Sequence, residues 1–288
     1  MHCDALLEGL PLARRAVVTH HKSMGSLFEG TAWHYARYRP GYPRFHLDGR
    51  GRLLDLGCGT GQLAIPLARH VGSAIGLDPE PEMLAEAATQ AEAADVANVT
   101  WVQGSSADLP GELGRFRLVT MGRSFHWMDR EQVLAALGGM VDADGGLVIV
   151  NDGCLVRPTT AWQQAIEDVQ RRFLPHDWQT DIPDVSHPES HEEVLARSPF
   201  PRVDRKVHEF TRRWSIDHAI GYLYSTSVPL RRLLGDRRAA FEREVTDALL
   251  AINTSSEFDE PVALDVLFAT KTENLEASGI RPGPVIIR

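Results

Sequence analysis

One stretch constrains this chain more than any other: Leu53 to Ala68, LLDLGCGTGQLAIPLA. Leu53, Leu54 and Leu56 read as the end of a buried parallel strand, and the glycines at 57, 59 and 61 then force a tight turn into a helix predicted to begin near Gln62. Glycine tolerates backbone angles that other residues avoid and lets the main chain come close to a ligand. The helix behind such a turn aims unpaired N–H groups and the positive end of its dipole at whatever lies above it. A nucleotide-like ligand is the first expectation, although such a turn can also simply join a strand to a helix.

Ala74 to Leu77 is a second short apolar run, and it ends at Asp78. A carboxylate at a strand's C-terminal tip can accept both hydroxyls of a ribose. The order strand, glycine turn, helix, strand, acid is half of a nucleoside-binding α/β sheet. Further runs at Val99–Val102, Phe116–Met121, Leu147–Asn151, Val203–Phe210 and Val262–Thr270 are predicted strands, and Glu80–Ala94 and Arg130–Met140 predicted helices.

The string DLGCGTG (Asp55 to Gly61), with GLDPEPEML (Gly76 to Leu84), resembles motifs I and II of class I S-adenosylmethionine-dependent methyltransferases, and the segments YRPGYP (Tyr38 to Pro43) and FHW (Phe125 to Trp127) resemble those of their small-molecule, specialised-metabolite branch. It departs from the dinucleotide fingerprint GxGxxG because the third glycine follows after one intervening residue and an acid, Asp55, precedes the turn. No basic residue lies between Asp55 and Gly61 to meet a phosphate, so the expected ligand is a cationic nucleoside amino acid. The resemblance implies an α/β fold: a Rossmann-like, doubly wound seven-stranded sheet, mostly parallel with an antiparallel last strand, plus an inserted helical cap. It implies S-adenosylmethionine as cofactor and S-adenosylhomocysteine as product. It also implies cofactor contacts from Asp55, Gly57, Cys58, Gly59, Gly61, Asp78 and Pro79, with Met83 bordering adenine. Cys58, inside the turn, reads as a small packing residue rather than a nucleophile.

Phe28 to Tyr38 reads as a helix ended by Arg39-Pro40-Gly41-Tyr42-Pro43. The Y-x-x-YRPxYP segment is similar to one that opens related methyltransferases, and the resemblance implies a lid in which Tyr35 approaches the methyl group and Arg39 pairs with the methionine carboxylate. A helix packing aromatics on the sheet edge is the alternative. After the third strand, Ser105 stands where the family usually has the acid that accepts from the adenine amino group; Ser105 and Ser106 are the candidates there, with Asp108 a substitute. Gly122-Arg123-Ser124-Phe125-His126-Trp127 comes after the fourth strand and resembles the AFHW segment of one branch of the family. Arg123 is assigned to the cofactor site, and His126 is a candidate general base, or else one half of a pair that packs and orders the loop.

The predicted organisation is an extension over residues 1–23, a lid over 24–50, a cofactor core over 51–154, a helical cap over 155–200, remaining core strands with cap helices over 201–272, and a tail over 273–288. The extension fits poorly with the rest of the chain, and Met24 looks like a natural beginning. Ile216–Ser227 and Arg237–Ala251 read as cap helices. Trp33, Phe125, Trp127, Trp162, Tyr222 and Tyr224, with Tyr35, are the candidate lining of an acceptor site suited to a small, partly apolar molecule, or else the core of the cap. His176, His187, His191, Asp177 and Asp181 have no recognised ligand spacing and are interrupted by prolines, so no metal is assigned.

The net charge of −9 argues against a nucleic-acid backbone as partner. Three widely spaced cysteines (Cys3, Cys58, Cys154) suggest no disulfide framework, and no stretch is apolar for long enough to span a membrane, so a cytoplasmic monomer or homodimer is expected. The expected activity is methyl transfer to O, N or C of a small metabolite. Two alternatives stand beside it: a cofactor-dependent enzyme performing another reaction, such as a cyclisation, and a non-catalytic cofactor-binding partner subunit.

Overall fold

A computed structural model of the chain describes residues 45–46, 49–151, 158–175, 188–226, 230–271 and 281–282. The expected extension and most of the expected lid, including Trp33, Tyr35 and Arg39, lie outside the described residues, as do His176, Asp177, Asp181, His187 and nearly all of the tail. Two short pieces, β1 (Phe45–His46) and β9 (Arg281–Pro282), pair antiparallel with each other.

The main sheet contains β2 (Arg52–Leu56), β3 (Ser73–Asp78), β4 (Val99–Gln103), β5 (Phe116–Gly122), β6 (Val141–Asn151), β7 (Arg202–Ser215) and β8 (Glu257–Thr270). Its seven strands run in the order β4-β3-β2-β5-β6-β8-β7. All are parallel except β8, which is antiparallel to both neighbours. This is the mixed, doubly wound arrangement expected, with the order reversing between β2 and β5. Ligands bind at such a reversal, outside the carboxyl ends of the strands.

Two of the three cores sandwich the sheet. Leu54, Leu56, Val119 and Met121 face α3 (Arg130–Met140), whose Val133, Leu134 and Leu137 bury at helical spacing. Leu53, Leu118, Val148 and Val266 face α1 (Ala64–Ala68) through Leu63, Leu67 and Ala68. Helix α2 (Pro81–Ala93) comes after β3, with Pro81 in its first turn, where no N–H is needed.

The third core belongs to a helical layer made of α4 (Ala161–Phe173), α6 (Ile216–Leu223), α7 (Leu230–Leu234) and α8 (Arg238–Ile252), closed by Trp214 and Phe258. What carries it is the length of β7 and β8, both longer than the sequence predicts. Strand β6 pairs β8 only over Asp265–Thr270, whereas residues 257–264 continue beside 208–215 past the carboxyl end of β6. Pro261, opposite Thr211, falls in this overhang, where no β6 partner requires an N–H.

The helix after the turn begins where expected: the Ile65 N–H donates to the Gly61 carbonyl at 2.9 Å, the first bond of the helical ladder, and α1 is regular from Ala64. One expectation needs correction. Residues 155–200 are not one cap: α4 joins the helical layer, but α5 (His191–Ala196) puts Val194 and Leu195 into the sheet core against α3. Among the described residues, no helix is long and apolar enough to cross a membrane.

Candidate functional site

The alternation of strand side chains sorts the residues at the strand tips. Asp55 shares the α1 face of β2 with Leu53, and its register partner on β5 is Thr120. The Thr120 hydroxyl donates to Asp55 Oδ1 at 2.8 Å, and the Ala64 N–H donates to Oδ2 at 3.0 Å. Asp55 is 1% exposed. Burial pushes its carboxyl up to about 7, with the two hydrogen bonds pulling the other way and nearby Asp78 adding to the rise. Asp55 therefore anchors the start of α1 from below the turn.

Asp78, on the same face at the tip of β3, accepts the Gly59 N–H at 2.8 Å and the Glu80 N–H at 3.0 Å. Burial raises its carboxyl too, and those two bonds oppose the rise. Each oxygen keeps a lone pair, so the carboxylate is fixed in place and can still accept from a ligand hydroxyl. Pro79 beside it takes Gln103 Nε2 on its carbonyl at 3.3 Å.

The turn between these acids needs its glycines. Gly57, Gly59 and Gly61 have φ of +71°, +51° and +81°. A Cβ on Gly57 would also lie 2.6 Å from Ser124 Cβ, since the loop after β5 docks directly on the turn, its Ser124 hydroxyl donating to the Leu56 carbonyl at 2.7 Å. Cys58 is buried and its thiol is pushed up by burial and by both acids, which keeps it a packing group. Met83 is 2% exposed and packs inside the protein.

After β4, Ser105 caps a short 3-10 turn (Ser106–Asp108). Asp108 Oδ2 accepts from the Ser105 N–H at 2.6 Å and lies 3.1 Å from its hydroxyl. The two candidates for the adenine contact are thus one capping unit, with Ser106 beside them.

At the tip of β5, Arg123 takes φ +53° and its N–H binds the Val150 carbonyl at 2.9 Å. Phe125–Trp127 form a 3-10 turn in which the half-buried His126 ring lies 5.1 Å from that of Trp127. Phe125 points into the sheet core, 1% exposed, and meets the His191 ring edge-on at 4.9 Å. Arg130 Nη1 donates to the Glu189 carbonyl at 3.0 Å and sits 3.2 Å from His191 Nδ1, so α5 and the His126 loop are tied together.

The aromatic set named from the sequence is not brought together. Trp162, Tyr222 and Tyr224 are packed in the helical layer: Trp162 Nε1 donates to the Asp259 carbonyl at 3.0 Å, and the Tyr224 hydroxyl donates to Glu242 at 2.9 Å. Phe125 belongs to the sheet core, which leaves His126 and Trp127 at the strand tip. Three residues escaped the sequence reading. Thr120 was legible as the alternating partner of Asp55, and Ser124 only through contact with Gly57. Thr60, in the turn itself, has a buried hydroxyl with no hydrogen-bond partner among the described residues.

Comparison with known proteins agrees with this geometry. Residues 53–145 match the family described as Methyltransferase domain. The chain is 34% identical over 110 residues to an uncharacterized methyltransferase of Synechocystis, covering 38% of this chain and 49% of that protein. It is 31% identical over 146 residues to a demethylmenaquinone methyltransferase of Lactiplantibacillus plantarum, covering 47% of this chain and 62% of that protein. The chain therefore spans about half or somewhat more of these curated relatives. A solved structure from Anaeromyxobacter dehalogenans, described provisionally as a type II methyltransferase, shares the fold with a TM-score of 0.54 at 22% identity, over 81% of this chain and 97% of that one.

Proposed function

Since the chain carries a class I S-adenosylmethionine-dependent methyltransferase domain, we propose that it transfers the methyl group of S-adenosylmethionine to an oxygen, nitrogen or carbon atom of a small, partly apolar molecule. The observation that carries this reading is Asp78, a buried carboxylate at a strand tip locked by Gly59 and Glu80 N–H groups with acceptor capacity to spare. The donor set fits a cationic nucleoside amino acid. Two acids flank the turn, no base lies within it, and the Thr60 hydroxyl is buried there with no partner among the described residues.

When bound, the cofactor supplies a sulfonium-activated methyl group. The chain's own residues then have little bond chemistry to perform. Asp78 accepts the ribose hydroxyls, Thr60 and the backbone of Gly57–Gly61 face the methionine portion, and Ser105 or Ser106 meets adenine. Aligning the acceptor and excluding water provide most of the acceleration. His126, beside the switch in strand order, takes the proton of a protonated acceptor. Trp127 lines the acceptor side.

Calorimetric titration with S-adenosylhomocysteine tests the site. Asp78→Ala should weaken binding about a hundredfold, the loss of two charge-assisted bonds; unchanged affinity sinks the assignment. Formation of S-adenosylhomocysteine during turnover separates methyl transfer from a cyclisation.

A further inference from the structure

The glycine turn is held from below by more than its two acids. Asp78 takes the Gly59 N–H and Asp55 the Ala64 N–H, so each end of 59–64 is tied to a carboxylate. Between the ties the chain is held by few bonds of its own, the Gly61 N–H on the Cys58 carbonyl and the Ile65 N–H on the Gly61 carbonyl, each at 2.9 Å, and α1 behind it is only five residues long. The middle of the turn rests on Trp101.

Trp101 stands opposite Gly76 in the β3–β4 pairing, on the α1 face that Ala74 and Val99 also occupy. Its ring covers that glycine so closely that a Cβ at position 76 would lie 2.4 Å from Cζ3 and 2.5 Å from Cε3. The far corner of the same ring, Cη2, lies 2.8 Å from where a Cβ on Gly61 would be. Gly76 on the strand and Gly61 in the turn thus form a slot that one indole fills, with Ile65 and Cys58 at its edges. Gly61 is glycine for its φ of +81°; Gly76 has no such backbone reason and is explained by the indole alone.

We propose that Trp101 is a positioning residue for the cofactor: its indole, laid across Gly76 and Gly61, supports the unwound turn at the height where its backbone meets the ligand. The proposal rests on the reading that this turn binds S-adenosylmethionine. Close packing makes such a support stiff, and truncation leaves a void into which Gly61 and Ile65 relax. Phenylalanine keeps a ring over Gly76 but does not reach as far towards Gly61, so its effect should be graded.

The test uses the full chain, its Trp101→Ala, Trp101→Phe and Asp78→Ala variants, calorimetric titration with S-adenosylhomocysteine, and amide hydrogen exchange without ligand. Trp101→Ala should weaken binding about tenfold with a single cooperative melting transition retained, and Trp101→Phe should recover it to within about threefold. Exchange should quicken at residues 59–65 and not in α3 or α8. The proposal is overturned if Trp101→Ala binds within about twofold of the parent while Asp78→Ala loses affinity, or if exchange at 59–65 is unchanged. If neither variant loses affinity, the cofactor-site reading fails instead. Should Trp101→Ala not fold, Trp101→Leu takes its place with the same expectation and the same overturning results.

Discussion

The cofactor turn and the helical layer are neighbours at the carboxyl end of one sheet, yet they are built by opposite means. At the turn, position is set by backbone: three glycines at positive φ, N–H groups bound to Asp55 and Asp78, and a loop docked through Ser124. In the helical layer, position is set by bulk, with Trp162, Trp214, Phe241, Leu249 and Phe258 packed together. A backbone device tolerates few substitutions and so reads as a motif. A packed layer tolerates many combinations of similar volume, so no motif marks it in the sequence.

One polar cluster breaks the apolar character of the layer and offers the largest test of this division. Glu260 accepts from Arg212 Nη1 at 3.0 Å, Trp214 Nε1 at 2.8 Å and Gln163 Nε2 at 3.2 Å, joining the overhanging hairpin to the start of α4. Arg212 and Glu260 side chains are 11% and 5% exposed. Glu260→Ala leaves a buried guanidinium and an indole N–H without this acceptor and should cost about 3–5 kcal/mol. If the two regions are independent, thermal unfolding of the variant should show the layer melting early while S-adenosylhomocysteine affinity at low temperature stays within about threefold. A parallel loss of affinity would break the comparison.

A smaller effect is expected on the other side of the division. Gly57→Ala forces a Cβ into a residue at φ +71° and against Ser124 at 2.6 Å. Strain of this kind costs about 1–3 kcal/mol. Because Ser124 begins the loop that carries His126, the variant should lower turnover as well as cofactor affinity, and Ser124→Gly should recover part of both by vacating the contact. Recovery of neither would mean that the loop and turn are not mechanically coupled.

These contrasts explain what the chain discloses before it folds. The succession of strand, glycine turn, helix and strand, with Asp78 at its end, was legible because each part demands a residue type: leucines in a two-sided strand, glycine at positive φ, an acid at a strand tip; the seven-stranded sheet followed from the resemblance. The full length of β7 and β8 was not, since it depends on the helical layer packed beside them. Nor was the division of residues 155–200 between two cores, because Trp162 and Val194 are equally apolar and only the long β7–β8 overhang separates their destinations. The aromatic residues named for an acceptor lining, or else for the core of the cap, divide for the same reason. A tryptophan or tyrosine fits a core as readily as a pocket, and Trp162, Tyr222 and Tyr224 went to the core. Trp101 was passed over because its role appears only through the two glycines it covers.

The smallest effect is a pH dependence, and it sharpens the comparison because the helical layer has no share in it. Burial holds the Asp55 carboxyl up to about 7 and raises that of Asp78. Asp55 therefore binds its proton in the folded protein across a range where the unfolded chain has already lost it. Its contribution to stability falls as pH rises from about 4 to about 7. A ligand ammonium above the turn favours the ionised form, so binding should release a proton, and affinity should rise through the same range. Between pH 6 and pH 8 the S-adenosylhomocysteine dissociation constant should fall by up to about tenfold, with proton release visible as a dependence of the binding enthalpy on buffer ionisation. Thr120→Val removes the hydroxyl that donates to Asp55 Oδ1 at 2.8 Å, a bond that favours the ionised form, and should move the midpoint upward. Glu260→Ala, acting in the other region, should leave the midpoint where it is. A midpoint that shifts with Glu260 and ignores Thr120 would assign the proton to the layer and overturn the division from which the expectation comes.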